Sequence, residues 1–189
     1  RRPKIAYHRY QHRFVVVYEK ATGWLAPSQL ACRIVEGAGT LGPITDPIPG
    51  LTNGTQPALS GNPSNAIADN GGLLACREAG LGVVVLPYTL PIGTVNATFG
   101  TPVTAVADPT AELPRLSKSG SGTRLLSFAI DGYVRVLPIG PNGAQVGLGY
   151  DVACPLPETD IYYSDRYRKK IQQTALFGEV TFKLTDRWS

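Results

Sequence analysis

Two histidines, His8 and His12, are the only side chains of this 189-residue chain whose ordinary pKa lies near neutral pH. They stand four residues apart in the segment HRYQH, a spacing that would put both rings on one face of a helix and allow them to bind a metal ion. The glutamate of an HExxH site is missing, and the flanking Arg9 and Arg13 would repel a divalent cation. We therefore expect no metal site, and interpret both histidines as further hydrogen-bond donors beside the arginines.

Other patterns for catalysis are also missing from the sequence. Cys32, Cys76 and Cys154 are far apart and form no CxxC pair, so we expect buried thiols in a reducing compartment and neither a zinc cage nor a disulfide framework. The segments GAGTLG, KSGSGT and GPNG match neither GxxxxGK[ST] nor a strand–GxGxxG–helix unit, and we interpret them as turns. With both histidines near one terminus, no Ser-His-Asp or Cys-His arrangement is indicated. We predict a protein that is not an enzyme and uses no cofactor.

Binding to a polyanion is the chemistry that remains, because the net charge of +4 is unevenly distributed. Residues 1–13 carry five basic and no acidic side chains (+5), residues 14–165 carry seven basic and twelve acidic ones (−5), and residues 166–189 carry six and two (+4). Basic ends on an acidic body are typical of a chain that meets nucleic acid, where each neutralised phosphate releases counterions. The alternative is a terminus that its charges merely keep solvated.

Aromatic side chains alternate with these basic residues, so charges could bind phosphates while rings stack on unpaired bases. Tyr7, Tyr10 and Phe14 lie in the first cluster, and Tyr162, Tyr163 and Tyr167 lie in the second. The predicted nucleic-acid-binding residues are Arg1, Arg2, Lys4, His8, Arg9, His12 and Arg13 at one end, and Arg166, Arg168, Lys169 and Lys170 at the other. For the second cluster, a solvated connection with tyrosines packed on the body remains an alternative.

The composition favours short strands over helices. The chain is 43% hydrophobic and 17% charged, and its 21 glycines and 16 prolines interrupt any long helix. It contains no uninterrupted apolar run of the roughly 18 residues that a membrane-spanning helix needs, so we expect no membrane span. Basic residues at the start are not followed by an apolar segment, so a secretory signal is not expected either.

The composition of individual segments predicts strands and turns. FVVVYEK is β-branched and aromatic, VVVLPY, TVNATFG and PVTAVA are short candidate strands, and TRLLSFAI and YVRVLPI flank Asp131-Gly132, the signal for a type I′ hairpin. The turn GPNG leads into AQVGLGYDVAC, a strand or bulged strand, and ALFGEVTFKLTDRW predicts a terminal strand. Two alternatives stay open at Ser28, which could cap a short helical turn while ACRIVE could be a strand.

Two regions, one with few charges and one without cations, predict contact with other protein. Residues 40–72 contain five prolines, six glycines and only two charges, which indicates a long ordered loop excursion lying against protein, with a plain flexible linker as the alternative. No cation occurs between Arg77 and Arg115, and such a stretch is hidden either inside the domain or against another subunit. The expected fold is a single all-β domain, an antiparallel β-sandwich or jelly roll over residues 14–189 with long Gly/Pro-rich loops, preceded by a basic N-terminal arm at residues 1–13.

The arm RRPKIAYHRYQHR, the uncharged loops over residues 40–114 and the meander from SFAIDGYVRV to VGLGYDVAC together resemble a coat (capsid) protein of a small icosahedral virus. This resemblance implies a jelly-roll domain in a virion, assembled inside the host cell. The arm and inner face would touch viral nucleic acid, RNA or DNA, and the loops would contact copies of the same chain in a large homo-oligomer. The alternative is a β-sandwich spike, fibre or tail attachment module that forms a small oligomer without nucleic acid. A hydrolase that uses carboxylates is the third hypothesis.

Overall fold

The computed structural model describes residues 3–21, 23, 28–61, 70–117 and 122–151. These residues contain thirteen β-strands and no helix, and all strand pairs are antiparallel. They form three sheets that we call sheets A, B and C. In this part of the chain no helix has the length and apolar composition needed to span a bilayer.

Sheet A is a four-stranded meander in chain order. Its strands are β1 (Lys4–His8), β2 (Arg13–Ala21), β3 (Ser28–Glu36) and β4 (Leu41–Thr45). The expected strand FVVVYEK is β2, and the segment Ser28–Glu36 is a strand and not a helical turn, since it pairs along its whole length with β2. Within the predicted basic N-terminal arm at residues 1–13, Lys4–His8 forms β1 and pairs along its whole length with β2.

Sheet B contains β5 (Gly54–Ser60), β6 (Gly71–Glu78), β7 (Gly82–Thr89) and β8 (Thr98–Phe99), with β9 (Val103–Val106) also paired to β7. The stretches VVVLPY, TVNATFG and PVTAVA thus contribute strands as expected, although only two residues of the second are in β8. The predicted loop excursion over residues 40–72 requires correction, because β4 and β5 both lie within it. Prolines did not prevent pairing there: Pro57 lies where the β5–β6 register shifts.

Sheet C is a second meander, made of β10 (Glu112–Leu116), β11 (Arg124–Ile130), β12 (Tyr133–Ile139) and β13 (Tyr150–Asp151). Its central hairpin confirms the prediction at Asp131-Gly132. Ile130 pairs with Tyr133, and the two turn residues have φ of 49° and 76°, the positive values that a type I′ turn requires. In the described part of the predicted strand AQVGLGYDVAC, residues 144–151, Tyr150 and Asp151 form a ladder with β12 and Gln145 forms an isolated bridge to Ile139.

The three sheets are stacked, with sheet B in the middle. One apolar cluster joins one face of sheet B to sheet A, through Leu74, Val84 and Leu86. A second cluster joins the opposite face to sheet C, through neighbouring residues such as Leu73 and Val85. Because successive side chains of a strand point to opposite faces, a strand covered on both sides must be apolar at every position. The run VVVL in β7 is completely buried for this reason.

One residue, Gln56, links all three sheets. Gln56 of β5 accepts a hydrogen bond from the backbone N–H of Leu113 in sheet C at 2.6 Å, and its own backbone N–H donates to Glu19 Oε1 of sheet A at 2.7 Å. Both Gln56 and Leu113 have positive φ, a conformation that non-glycine residues rarely adopt. The bonds across the layers stabilise these two backbone positions.

The predicted all-β fold with antiparallel sheets is confirmed. Apart from β7–β9, each ladder between the described strands joins strands that are consecutive in the chain. A jelly roll also needs ladders between strands that are distant in sequence. That finer assignment stays a prediction.

Candidate assembly surfaces and the buried histidine

The N-terminal hairpin contains every predicted binding residue that the structure describes. Arg1 and Arg2 lie outside the described residues, as do Arg166, Arg168, Lys169 and Lys170 of the second cluster. The remaining predicted residues are on β1, on β2 and in the turn between them. Lys4 is half-buried, whereas Arg9 and His12 are exposed. The Tyr7 hydroxyl and His12 Nδ1 are 3.0 Å apart, which ties the turn to β1.

Arg13 is held by contacts within the protein. Its Nη2 lies 3.2 Å from Glu36 Oε1, and its Nη1 donates to Gln11 Oε1 at 3.0 Å and to the backbone oxygens of Pro91 and Thr94. Only 12% of the side chain is exposed. A guanidinium that already donates to these partners has few N–H groups left for phosphate. Arg13 therefore connects sheet A to the loop after β7.

His8 points into the interior and is 1% exposed. Its Nε2 lies 2.9 Å from the hydroxyl of Tyr88, which donates its single proton to the backbone oxygen of Ser60 at 2.9 Å. His8 Nε2 must then be the donor to the tyrosine oxygen, so Nδ1 is the unprotonated nitrogen. In this conformation the ring is unable to reach an external ligand.

The environment of His8 favours its neutral form. Burial, and secondly the positive charge of Arg124, lower the pKa of His8 from 6.5 to about 4. Protonation would place a hydrogen on Nδ1, which has no hydrogen-bond partner among the described residues. Tyr88, the acceptor of its Nε2 proton, is 1% exposed, and burial raises the pKa of its phenol. The pair is therefore a neutral structural link between β1 and β7.

Three further ionisable side chains of the described residues, Cys32, Cys76 and Glu78, are buried. Cys32 and Cys76 are free thiols in the core, as expected from their spacing. Burial raises the pKa of Cys32 to about 12 and also raises that of Cys76, which removes the reactive thiolate at neutral pH. Glu78 is buried because its Oε1 accepts hydrogen bonds from the backbone N–H groups of Thr52 and Asn53. Within the described ranges, no three His, Cys, Asp or Glu side chains are grouped as metal ligands.

The outward side of sheet A, which we call the A face, is apolar although it is not covered by other described strands. Ile5, Tyr7, Leu41 and Ile44 are 42–62% exposed. The cross-strand register places partly buried apolar residues between them, namely Phe14, Val16, Tyr18 and Val35. The segment FVVVY is thus apolar on both sides of the strand, whereas a sheet with one solvated face normally alternates with polar residues.

The outward side of sheet C, which we call the C face, is also apolar. Leu125 and Val134 are 50% and 47% exposed, and Tyr150 beside Val136 is 66% exposed. Val146 and Leu148, in the segment that leads to β13, add further exposed apolar surface at 55% and 80%. Since the two outer sheets pack on opposite sides of sheet B, the A face and the C face point in opposite directions.

Each face is a continuous surface and not a set of scattered exposed residues. Each consists of about three rows of side chains across four strands, or on the order of 400 Å² of sheet at 4.8 Å between strands and 3.3 Å per residue. One patch of a few hundred Å² is common on a monomer and often functional, and this protein has two such faces on opposite sides of the stack. The sequence signal for the A face is FVVVY, a run that by itself predicts only a strand.

The comparisons with known proteins offer no relative for this fold. No family model matches the chain, and no curated protein or solved structure matches it.

Proposed function

We propose that this chain is a structural, non-enzymatic β-protein that functions as an assembly of its own copies. The observation that carries the proposal is the pair of apolar faces on opposite sides of the three-sheet stack. Burial of apolar surface is the main driving force of association, at about 25 cal/mol per Å² before the costs of association are subtracted. A second copy is a partner that is always present at the same concentration.

The geometry of the N-terminal hairpin favours an attachment module, in a spike, fibre or tail, that forms an oligomer without nucleic acid. Residues 4–13 do not extend from the body as an arm, His8 is buried and Arg13 is engaged internally. Of the seven residues predicted in this region, five are described; His8 is buried and Arg13 is engaged internally, which leaves Lys4, Arg9 and His12. Three such side chains make a small anion-binding surface.

A coat protein in a virion is the second candidate, and the uneven charge supports it. Residues 1–13 carry +5 and residues 166–189 carry +4. This candidate assumes a jelly-roll arrangement and a role for the basic residues at both ends. Its shell would contain nucleic acid, either RNA or DNA, whereas the oligomer of the attachment module would not.

Size-exclusion chromatography with light scattering tests both forms of the proposal. The purified chain is loaded at concentrations from about 1 to 500 µM, a range that spans weak association, and absorbance is recorded at 260 and 280 nm. A concentration-dependent oligomer with protein-like absorbance supports the attachment module. A megadalton particle with nucleic-acid absorbance supports the coat protein, and a monomer at all concentrations contradicts both.

A variant separates the role of charge from that of assembly. Arg1, Arg2, Lys4 and Arg9 are replaced by glutamine, while Arg13 is retained because it holds the fold. If the chain is a coat protein, this variant should package less nucleic acid. Unchanged nucleic-acid content would contradict a role for these residues. For the attachment module, the oligomer should be unaffected.

A further inference from the structure

The A face has a positive charge near its centre. Arg33 on β3 lies opposite Val16 of β2 and Ile44 of β4, so apolar side chains adjoin it on both neighbouring strands. Its Nε donates to the backbone oxygen of Gly42 at 2.8 Å, and the side chain has no carboxylate partner among the described residues. Covering the A face would remove water from this guanidinium. A buried charge needs an opposite charge to compensate for the lost hydration.

The C face offers such a charge. Glu112 on β10 is exposed and lies opposite Ala129 of β11, whose side chain is on the outward side of the sheet. No ion pair of Glu112 occurs in the described part of the chain. Arg115 is on the same face, opposite Ser127, and its Nη1 donates to the backbone oxygen of Pro114 at 3.0 Å. The C face therefore combines an apolar surface with a carboxylate and a guanidinium along one edge, and neither has an ion-pair partner among the described residues.

Three pairings of these faces are conceivable, and charge distinguishes them. Two A faces related by a two-fold axis would bring the two Arg33 side chains together near the centre, which is repulsive. Two C faces would pair Glu112 with Arg115 and leave Arg33 of both A faces unused. An A face that is shifted on a C face, so that the centre of one lies over the β10 edge of the other, pairs Arg33 with Glu112 and covers apolar surface on both copies.

We propose that copies of this chain associate head to tail, with the A face of one copy stacked on the C face of the next and an ion pair between Arg33 and Glu112. This inference rests on the proposed function and specifies the surfaces that assemble. Stacked sheets pack about 10 Å apart, so the contact would continue the A–B–C layering from one copy to the next. Because the two surfaces differ and point in opposite directions, a stack retains one open A face at one end and one open C face at the other, and it can grow into a filament.

The interface is expected to be weak for each contact. A face of roughly 400 Å² is about half of the 800 Å² per partner that a stable interface buries. Assembly should therefore depend strongly on concentration. At such an interface an ion pair that is shielded from water contributes enough to be measured by substitution.

A charge swap in the full chain tests the inference. R33E and E112R should each weaken association about tenfold or more, because each leaves two like charges facing one another. The double variant R33E/E112R restores opposite charges and should return the dissociation constant to within about threefold of the original. Association is measured by sedimentation velocity across the concentration range, and circular dichroism verifies that each variant is folded. R33Q and E112Q serve as milder substitutions if a reversed charge prevents folding, and each should weaken association severalfold.

T101E is the control, since it introduces the same charged side chain as R33E at an exposed loop residue outside both faces. It should leave association unchanged. Head-to-tail stacking is overturned if the double variant associates no more tightly than the single variants. It is also overturned if E112R weakens association and R33E does not, which would indicate paired C faces. In both cases the protein still assembles and the proposed function stands. A chain that is monomeric at all concentrations overturns the proposed function as well.

Discussion

Acidification should destabilise the folded protein through His8, and the size of the effect follows from its surroundings. The ring is buried, its Nε2 proton is given to Tyr88, and its Nδ1 has no partner among the described residues to which a second proton could be donated. Its pKa is about 4 in the folded protein and 6.5 ordinarily. Between these values the unfolded chain binds a proton that the folded chain does not, so stability falls as the pH drops through 6.5 and stops falling below about 4.

The two pKa values give the magnitude. Between pH 7 and pH 5 the free energy of unfolding should decrease by about 2 kcal/mol, and the complete effect at lower pH is about 3 kcal/mol. Urea denaturation at pH 7, 6 and 5 measures the change in the window where most carboxylates remain ionised. Because His8 Nε2 is the donor to Tyr88, the variant His8→Gln can supply an amide N–H at a similar position without titrating in this range.

The variants decide between His8 and other causes of pH dependence. His8→Gln should lose most of the slope between pH 7 and 5, whereas His12→Gln, which removes the exposed histidine, should keep it. A slope that persists in His8→Gln would refute this reasoning. So would a free energy of unfolding in the unchanged protein that does not vary between pH 7 and 5.

Three further predictions concern the interior. Tyr88→Phe should lower the free energy of unfolding by about 2–4 kcal/mol in urea, because the backbone oxygen of Ser60 and the ring of His8 each lose a buried partner. Gly82→Ala should cost at least about 3 kcal/mol by the same assay, since φ is +102° and the added methyl would collide with two backbone oxygens. In a chain whose third cysteine is replaced by serine, Cys32 and Cys76 should react with a thiol reagent only as fast as the protein unfolds, because both thiols are buried and their pKa values are raised.

Each of these predictions has a control within the same chain. Tyr10→Phe removes an exposed hydroxyl and should change stability by less than about 0.5 kcal/mol. Gly80→Ala also has positive φ, +82°, but no atom lies near the added methyl, so only the conformational cost of about 1 kcal/mol is expected. Equal effects of the two alanine substitutions would contradict the steric argument. Rapid labelling of the folded protein, at the rate seen in urea, would show that the thiols are accessible.

Head-to-tail assembly also changes how the apolar residues of this protein should be interpreted. Ile44 and Val134 are exposed in the single chain, yet they lie on faces that a second copy would cover. Substituting either by lysine should favour the monomer while leaving its fold intact, because neither contributes to the two buried clusters. This distinguishes the surface residues from neighbours such as Val85, which are needed for folding itself.

Local patterns determined the class of the fold. The β-branched run FVVVY, the Asp131-Gly132 dipeptide and the frequent Gly and Pro residues predicted strands, a type I′ hairpin and an absence of long helices, and each rests on the conformations of a few neighbouring residues. The uneven distribution of charge also followed from the sequence, since it requires only a count of acidic and basic residues. Cys32 and Cys76 were correctly expected to be buried thiols, because nothing in their spacing indicated a ligand set or a pairing.

Tertiary structure decided the rest, because it depends on contacts between distant residues. The local sequence assigned His8 to a basic arm, and only its partner Tyr88, eighty residues later, makes it a core residue. Residues 40–72 were interpreted as a loop because Gly and Pro discourage strands locally, yet β6 pairs with β5 within that region once the sheet forms. The stacking of three sheets likewise depends on which side of sheet B each strand covers. From the sequence alone FVVVY predicted a strand, but only the stack shows that its second apolar side is left facing outward.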